Sequence, residues 1–181
     1  MRKKSKVMTK VIAGSLLMTC SLIAAGCSTE YDEVAAIKVG ESLKSLQYQI
    51  QVRNIEMDIE DVLKEQEATL KNHDQYKPFL TEQGYNEFID NKQYAIATGY
   101  ALKHKLNMEI KNIQFENMNP EHIEKDTFSF RYNIDIELSP SELTSSRGKS
   151  LITKTGQMTV VKEDEVWKVL KDQDSGFLAD E

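Results

Sequence analysis

Between Thr127 and Leu138 the chain alternates without a break. Phe128, Phe130, Tyr132, Ile134, Ile136 and Leu138 share one parity, and Thr127, Ser129, Arg131, Asn133, Asp135 and Glu137 share the other. Successive side chains of a strand point to opposite faces, so this run has one apolar and one polar face. Such a strand belongs in an antiparallel sheet covered on one side only. The fold must supply a layer to cover the apolar face, and the preceding sequence supplies helices.

Those helices are read from a period near 3.6. Ala36, Val39, Leu43, Leu46 and Ile50 recur at three and four residues, and Ile55, Ile59, Val62, Leu63, Gln66 and Leu70 form a second, offset stripe. Asn54 or Asp58 would cap a new helix, so the region is one long helix with a shifted seam or two helices. The run Tyr48-Gln49-Ile50-Gln51-Val52 also reads as a strand. Thr81 is placed as the N-cap of a helix bearing Tyr85, Phe88 and Ile89, with Leu80 positioned to staple onto Tyr85. A further short helix is predicted from Tyr94 to His104, weakened by Gly99.

The period then changes to 2. Leu106, Met108 and Ile110 alternate, and the phase slips at Asn112 before Ile113 and Phe115, which predicts a bulged strand. After the clean strand come a polar loop from Ser139 to Gly148 and a third strand from Ser150 to Val161, with Gly156 as a second candidate bulge. Glu163-Asp164-Glu165 forms a turn, and Val166 to Leu170 the last strand. Helices followed by an antiparallel meander predict an α+β domain, helices packed on a sheet of about four strands.

The N-terminal segment is of another kind. Arg2, Lys3, Lys4, Lys6 and Lys10 precede an uncharged, largely apolar run from Val11 to Ala25, which Ala24-Ala25-Gly26-Cys27 closes. About 15 apolar residues make roughly 22 Å of helix, against the roughly 30 Å hydrocarbon core of a bilayer. That order and length read as a secretory signal ending in a lipobox-like tetrapeptide, although its first position is Ala where Leu is commonest. Cys20, preceded by Met18 and Thr19, fits a cleavage site poorly. Competing readings are an uncleaved anchor, an ordinary secretory signal and the buried helix of a cytosolic protein.

The expected division is a lipoprotein signal peptide over 1–26, a lipid-anchored tether over 27–33, an α+β domain over 34–171 and an acidic disordered tail over 172–181. Cys27 is the expected site of a diacylglyceryl lipid, and the chain's destination the extracytoplasmic face of the cell membrane. Five of the 23 basic residues and none of the 29 acidic ones lie in the signal, so its removal deepens the net charge from −6 to −11. Such a surface repels nucleic acid. Cys20 and Cys27 are the only cysteines, so the remaining domain has neither a disulfide framework nor a thiol nucleophile.

The order of parts carries a resemblance. The lipobox, the long helical segment, Phe79-Leu80-Thr81-Glu82-Gln83-Gly84-Tyr85 with Phe88 after it, the bulged and clean strands, and a closing Glu163-Asp164-Glu165-Val166-Trp167-Lys168-Val169 hairpin follow one another. Over roughly 34–171 this resembles Gram-positive envelope lipoproteins of the nuclear-transport-factor-2-like superfamily. The resemblance implies a cone-like shape with a curved sheet, and any pocket lying between the helices and its concave face. Members differ in job, so the resemblance implies no single activity.

Enzymes of that superfamily, ketosteroid isomerases among them, would need an inward acid, base or tyrosine with a shifted pKa. The apolar face of 127–138 offers only Tyr132, read as a core residue with its hydroxyl at the rim. Trp167 is read as core, or alternatively as a binding anchor at the rim. Tyr132 and Trp167 are thus the candidate pocket or surface contacts. His73, His104 and His122 fall in breaks or at a helix end, and Asp58-Ile59-Glu60-Asp61 lacks the glycine turn of a calcium loop, so no metal site is expected. The reading is a lipid-anchored envelope protein with a non-catalytic binding or assembly role. Its partners would be the membrane and another envelope protein. The alternative is an enzyme acting on a small apolar ligand in the cone.

Overall fold

The computed structural model describes residues 28–52, 73–119, 126–141 and 148–175. The signal segment with Cys27, the second helical stripe, the Asp58 cluster, His122 and most of the Ser139–Gly148 loop lie outside them. Helix α1 spans Ser28–Tyr48, a 3-10 helix His73–Phe79, α2 Glu82–Asp90 and α3 Gln93–His104. Strands β1 (Leu106–Asn117), β2 (Thr127–Pro140), β3 (Ser150–Glu163) and β4 (Val166–Asp174) form an antiparallel meander in that spatial order. The α+β layout read from the sequence is present, with the helices on one sheet face.

The clean strand behaves as its alternation requires. Phe128, Phe130, Tyr132, Ile134, Ile136 and Leu138 are buried, while Arg131 and Asn133 are exposed and Asp135 is half-buried. The slip in β1 is a bulge: the pairing shifts between Ile110 and Asn112, leaving Lys111 as the extra residue. Even-numbered residues face the core before it, and Ile113 and Phe115 after it. A second bulge lies in β4, where Thr159 pairs with Lys171 but Val160 with Val169, leaving Leu170 as the extra residue. Bulges bend the strands that carry them and curve the sheet.

Local chemistry sets the helices as well. Thr81 caps α2, its hydroxyl accepting from the Gly84 amide at 2.9 Å. Gly84 lets α2 lie against β4: a Cβ there would stand 2.6 Å from the Val169 carbonyl oxygen. The Thr81 amide donates to that same oxygen at 3.0 Å. After α1 the chain extends, and Ile50 bridges Met108 in antiparallel fashion, so the strand-like reading of 48–52 holds at Ile50.

Three sequence expectations are corrected. Residues 28–32 are the first turns of α1 and not part of a tether. Asp172, Gln173 and Asp174 belong to β4 and not to a disordered tail. Gly156 is not a bulge: it pairs in register with Tyr132, and a Cβ would meet that tyrosine's hydroxyl oxygen at 2.2 Å. The glycine clears a path for the phenol to cross β3.

Candidate functional site

At the end of the domain farthest from the β3–β4 turn the core becomes polar. Lys44 lies on the buried face of α1, beside Leu43, and Tyr48 follows one turn later. Lys154 occupies an inward position of β3, in phase with Met158 and Val160. Asp172 and Asp174 point inward because of the bulge at Leu170. Before it the odd residues Trp167 and Val169 are buried, and one extra residue reverses the parity of everything after it.

These side chains meet. Lys44 Nζ lies 2.6 Å from Asp172 Oδ2 and 3.4 Å from Asp174 Oδ2. Lys154 Nζ lies 2.9 Å from Asp174 Oδ1. The Tyr132 hydroxyl crosses over Gly156 to donate to Asp172 Oδ1 at 2.9 Å, and the Tyr48 hydroxyl donates to Asp174 Oδ2. Lys44 Nζ also sits 4.6 Å from the centre of the Tyr132 ring, whose negative face favours a cation. Two ammonium groups face two carboxylates, so the cluster is charge-balanced.

Burial and the neighbouring charges set the protonation states. Burial, then the charges of Asp172 and Asp174, hold the Tyr132 hydroxyl protonated far above the usual phenol range. Burial and Asp174 do the same to Tyr48. Burial lowers the pKa of Lys154, outweighing the attraction of Asp174. Burial pushes Asp174 up, but Lys44, the Tyr48 hydrogen bond and Lys154 together overcome it and hold the carboxyl below its ordinary value.

Two hollows flank the cluster. One of about 80 Å³ is lined by Gln47, Tyr48, Lys154 and Asp174 with Ile96 and Ala97. The buried Gln47 Oε1 has no hydrogen-bond partner among the described residues, so this hollow suits water. A cleft of about 330 Å³ runs between α2 and the end of β4, past Glu87, Asn91, Gln93 and Asp172. Gln93 Nε2 spans its edge, donating to the Asp172 carbonyl at 3.2 Å.

The chemistry available here is limited by saturation. Each of the four oxygens of Asp172 and Asp174 already faces a lysine or tyrosine donor. A general base needs a lone pair aimed at substrate, and a tyrosine held protonated is a donor and not a nucleophile. The arrangement pins α1, β2, β3 and β4 together.

Of the two contacts named from the sequence, Tyr132 is fully buried and joins this cluster. Trp167 does not: it is a core residue at the other end, with its ring 5.2 Å from that of Phe128 and Nε1 donating to Asp32 at 3.4 Å. His73 is half-buried against Tyr85, 2.5 Å from its hydroxyl, and the His104 ring packs 4.4 Å from that of Tyr100. Lys44, Tyr48, Lys154, Asp172 and Asp174 were missed. The available signal was Leu170 beside Val169, the same phase slip that marked β1, which puts Asp172 and Asp174 in phase with an apolar residue.

No protein-family model and no curated protein matches the sequence. Among solved structures, CagV, a VirB8 homolog of the T4SS from Helicobacter pylori strain 26695, is 14% identical, with 79% of this chain and 98% of that one covered at a TM-score of 0.47. The association domain of C. elegans CaMKII is 9% identical over 81% of this chain and 96% of its own, at 0.45. An NTF-2 like protein of unknown function from Shewanella oneidensis MR-1 is 17% identical over 64% and 94%, at 0.28. At these values the likeness carries nothing about activity or partners.

Proposed function

We propose that this chain is a cell-envelope lipoprotein whose folded domain binds a protein partner without turning over a substrate. Cys27 carries a diacylglyceryl lipid, residues 1–26 are removed, and the domain stands at the extracytoplasmic face of the membrane. The basic start, apolar run and Ala24-Ala25-Gly26-Cys27 support the anchor. The observation that carries the non-catalytic reading is the paired cluster: the most buried ionisable groups of the described domain face one another, with a lysine or tyrosine beside each oxygen of Asp172 and Asp174. The hollow of about 80 Å³ beside them is far below the roughly 300–1,000 Å³ of ordinary ligand pockets, and the cleft of about 330 Å³ is lined mainly by polar groups. A hollow of about 520 Å³ lined by Leu46, Ile50, Val52, Tyr76 and Leu102 with Ser45, Gln49 and Gln75 has ligand size, but it includes none of the buried charged groups.

The partner surface we assign is the outer face of the sheet, where Arg131, Asn133, Thr153, Thr155 and Gln157 present charge, amide and hydroxyl groups to solvent. Fractionation of wild type and Cys27→Ser, with crosslinking of each, tests both halves. Cys27→Ser should stay unprocessed and carry no lipid, retaining its N-terminal apolar run. An Arg131→Glu, Gln157→Glu double variant should stay anchored and lose its crosslinked partner. Unchanged processing of Cys27→Ser would refute the anchor. An unchanged crosslinking pattern in the double variant would refute the assigned face.

A further inference from the structure

We infer that the end of the domain carrying the α1 N-terminus is a lipid-contact surface, seated directly on the outer leaflet of the membrane. The inference rests on the reading of Cys27 as lipidated. Helix α1 already includes Ser28, the residue after Cys27. A flexible tether lets a domain stand off by roughly 5–6 Å times the square root of its length in residues. A helix that starts one residue after the acylated cysteine leaves no such tether, so its first turns are held at the headgroups.

The first turns of α1 are fixed to the rest of the domain. Asp32 Oδ1 accepts from Lys162 Nζ at 3.3 Å and from Trp167 Nε1 at 3.4 Å. Glu33 Oε1 accepts from Asn117 Nδ2 at 3.3 Å. These bonds set the first turns of α1 between the end of β1 and the β3–β4 turn.

That end exposes large apolar side chains: Tyr31 is 74% exposed, Val34 47%, Val166 51% and Met118 39%. They flank the helix start, the turn and the end of β1. Leu46, Ile96 and Leu151, also exposed, lie away from that end; Leu151 pairs with Glu137 near the start of β3 at the opposite end. Scattered apolar residues on a surface need no explanation, but a group of them at the point of attachment fits an interfacial contact. Tyrosine suits headgroup depth, with an apolar ring and a polar hydroxyl. The same end carries Glu163, Asp164 and Glu165, with Lys162 and Lys168 paired to acidic neighbours. Its charge opposes an anionic bilayer, so the surface fits zwitterionic headgroups better.

The test uses the full lipidated chain in vesicles of phosphatidylcholine with brominated acyl chains. A solvent-sensitive dye is placed at Met118→Cys or at Leu151→Cys, each the sole free thiol after processing. The dye at 118 should shift to the blue and be quenched several-fold more than the dye at 151. Tyr31→Ser with Val34→Ser should shrink that difference while the emission of buried Trp167 stays unchanged. Phosphatidylglycerol should weaken the contact at low salt, and about 0.5 M salt should restore it by screening. Equal quenching at 118 and 151, in chains whose N-terminal peptide carries lipid by mass, overturns the docking alone. A Cys27 without lipid by mass overturns the anchor and the docking with it.

Discussion

Lys44 Nζ and Asp172 Oδ2 lie 2.6 Å apart with side chains 0% and 2% exposed, and 128 residues separate them in the chain. The pair fastens the first helix to the last strand. Taking two charges out of water costs several kcal/mol per ion, and close pairing recovers that cost only when the remaining donors and acceptors are also met. Tyr132, Tyr48 and Lys154 meet them here.

Removing one member should therefore cost far more than removing the network. Lys44→Met leaves two carboxylates buried beside each other and is expected to destabilise the domain by about 3–5 kcal/mol in urea denaturation. Adding Asp172→Leu, Asp174→Asn and Lys154→Met to Lys44→Met, so that no buried charge is left unpaired, should recover much of that loss. A quadruple variant no more stable than the single one would show that the cluster does not act as a unit.

The pH dependence follows from the buried tyrosines and Asp174. Tyr48 and Tyr132 have folded pKa values above the ordinary 10.0, so the unfolded chain loses those protons first. Their contribution is complete below about pH 10 and is lost as pH rises beyond it. Lys154 works the other way, since its folded pKa is below the ordinary 10.5, but it is one group against two. Asp174 contributes above its ordinary 3.8, and that contribution is lost as pH falls through its lowered value. Tm should fall on both sides, and tyrosinate absorbance should show Tyr48 and Tyr132 among the phenols that titrate only on unfolding, together with buried Tyr76, whose pKa burial also raises. A Tyr48→Phe, Tyr132→Phe double variant should flatten the alkaline limb. An unchanged alkaline limb would contradict the assignment.

Gly156 makes the Tyr132–Asp172 contact possible. A Cβ at 156 would fall 2.2 Å from the Tyr132 hydroxyl oxygen and 2.6 Å from the Gln173 carbonyl oxygen, so ring or backbone must move. Gly156→Ala should cost about 1–3 kcal/mol, as overpacking does. It should also let the Tyr132 phenol titrate before unfolding. A loss under about 0.5 kcal/mol with no change in that titration would mean that the close approach does not hold the ring.

Much of the sheet was legible because it rests on near-neighbour rules. Period-two alternation put Phe128 to Leu138 inward, a phase slip marked the bulge after Ile110, and a threonine at the right distance from Gly84 capped α2. The polar cluster was not legible. Asp172 and Asp174 sit near the acidic end of the chain, where carboxylates ordinarily stay in water, and one bulge at Leu170 decides that they turn inward.

The sequence by itself determined the classes of element, the apolar face of the sheet and the charge of its surroundings, because each depends on residues a few positions apart. Only the tertiary structure decided where Lys44 finds its counter-ions, why position 156 has no side chain, and that Trp167 is core and not rim. Those outcomes depend on which atoms meet across more than a hundred residues. The cost of leaving a buried charge unpaired is set by the assembled neighbourhood and by no local pattern.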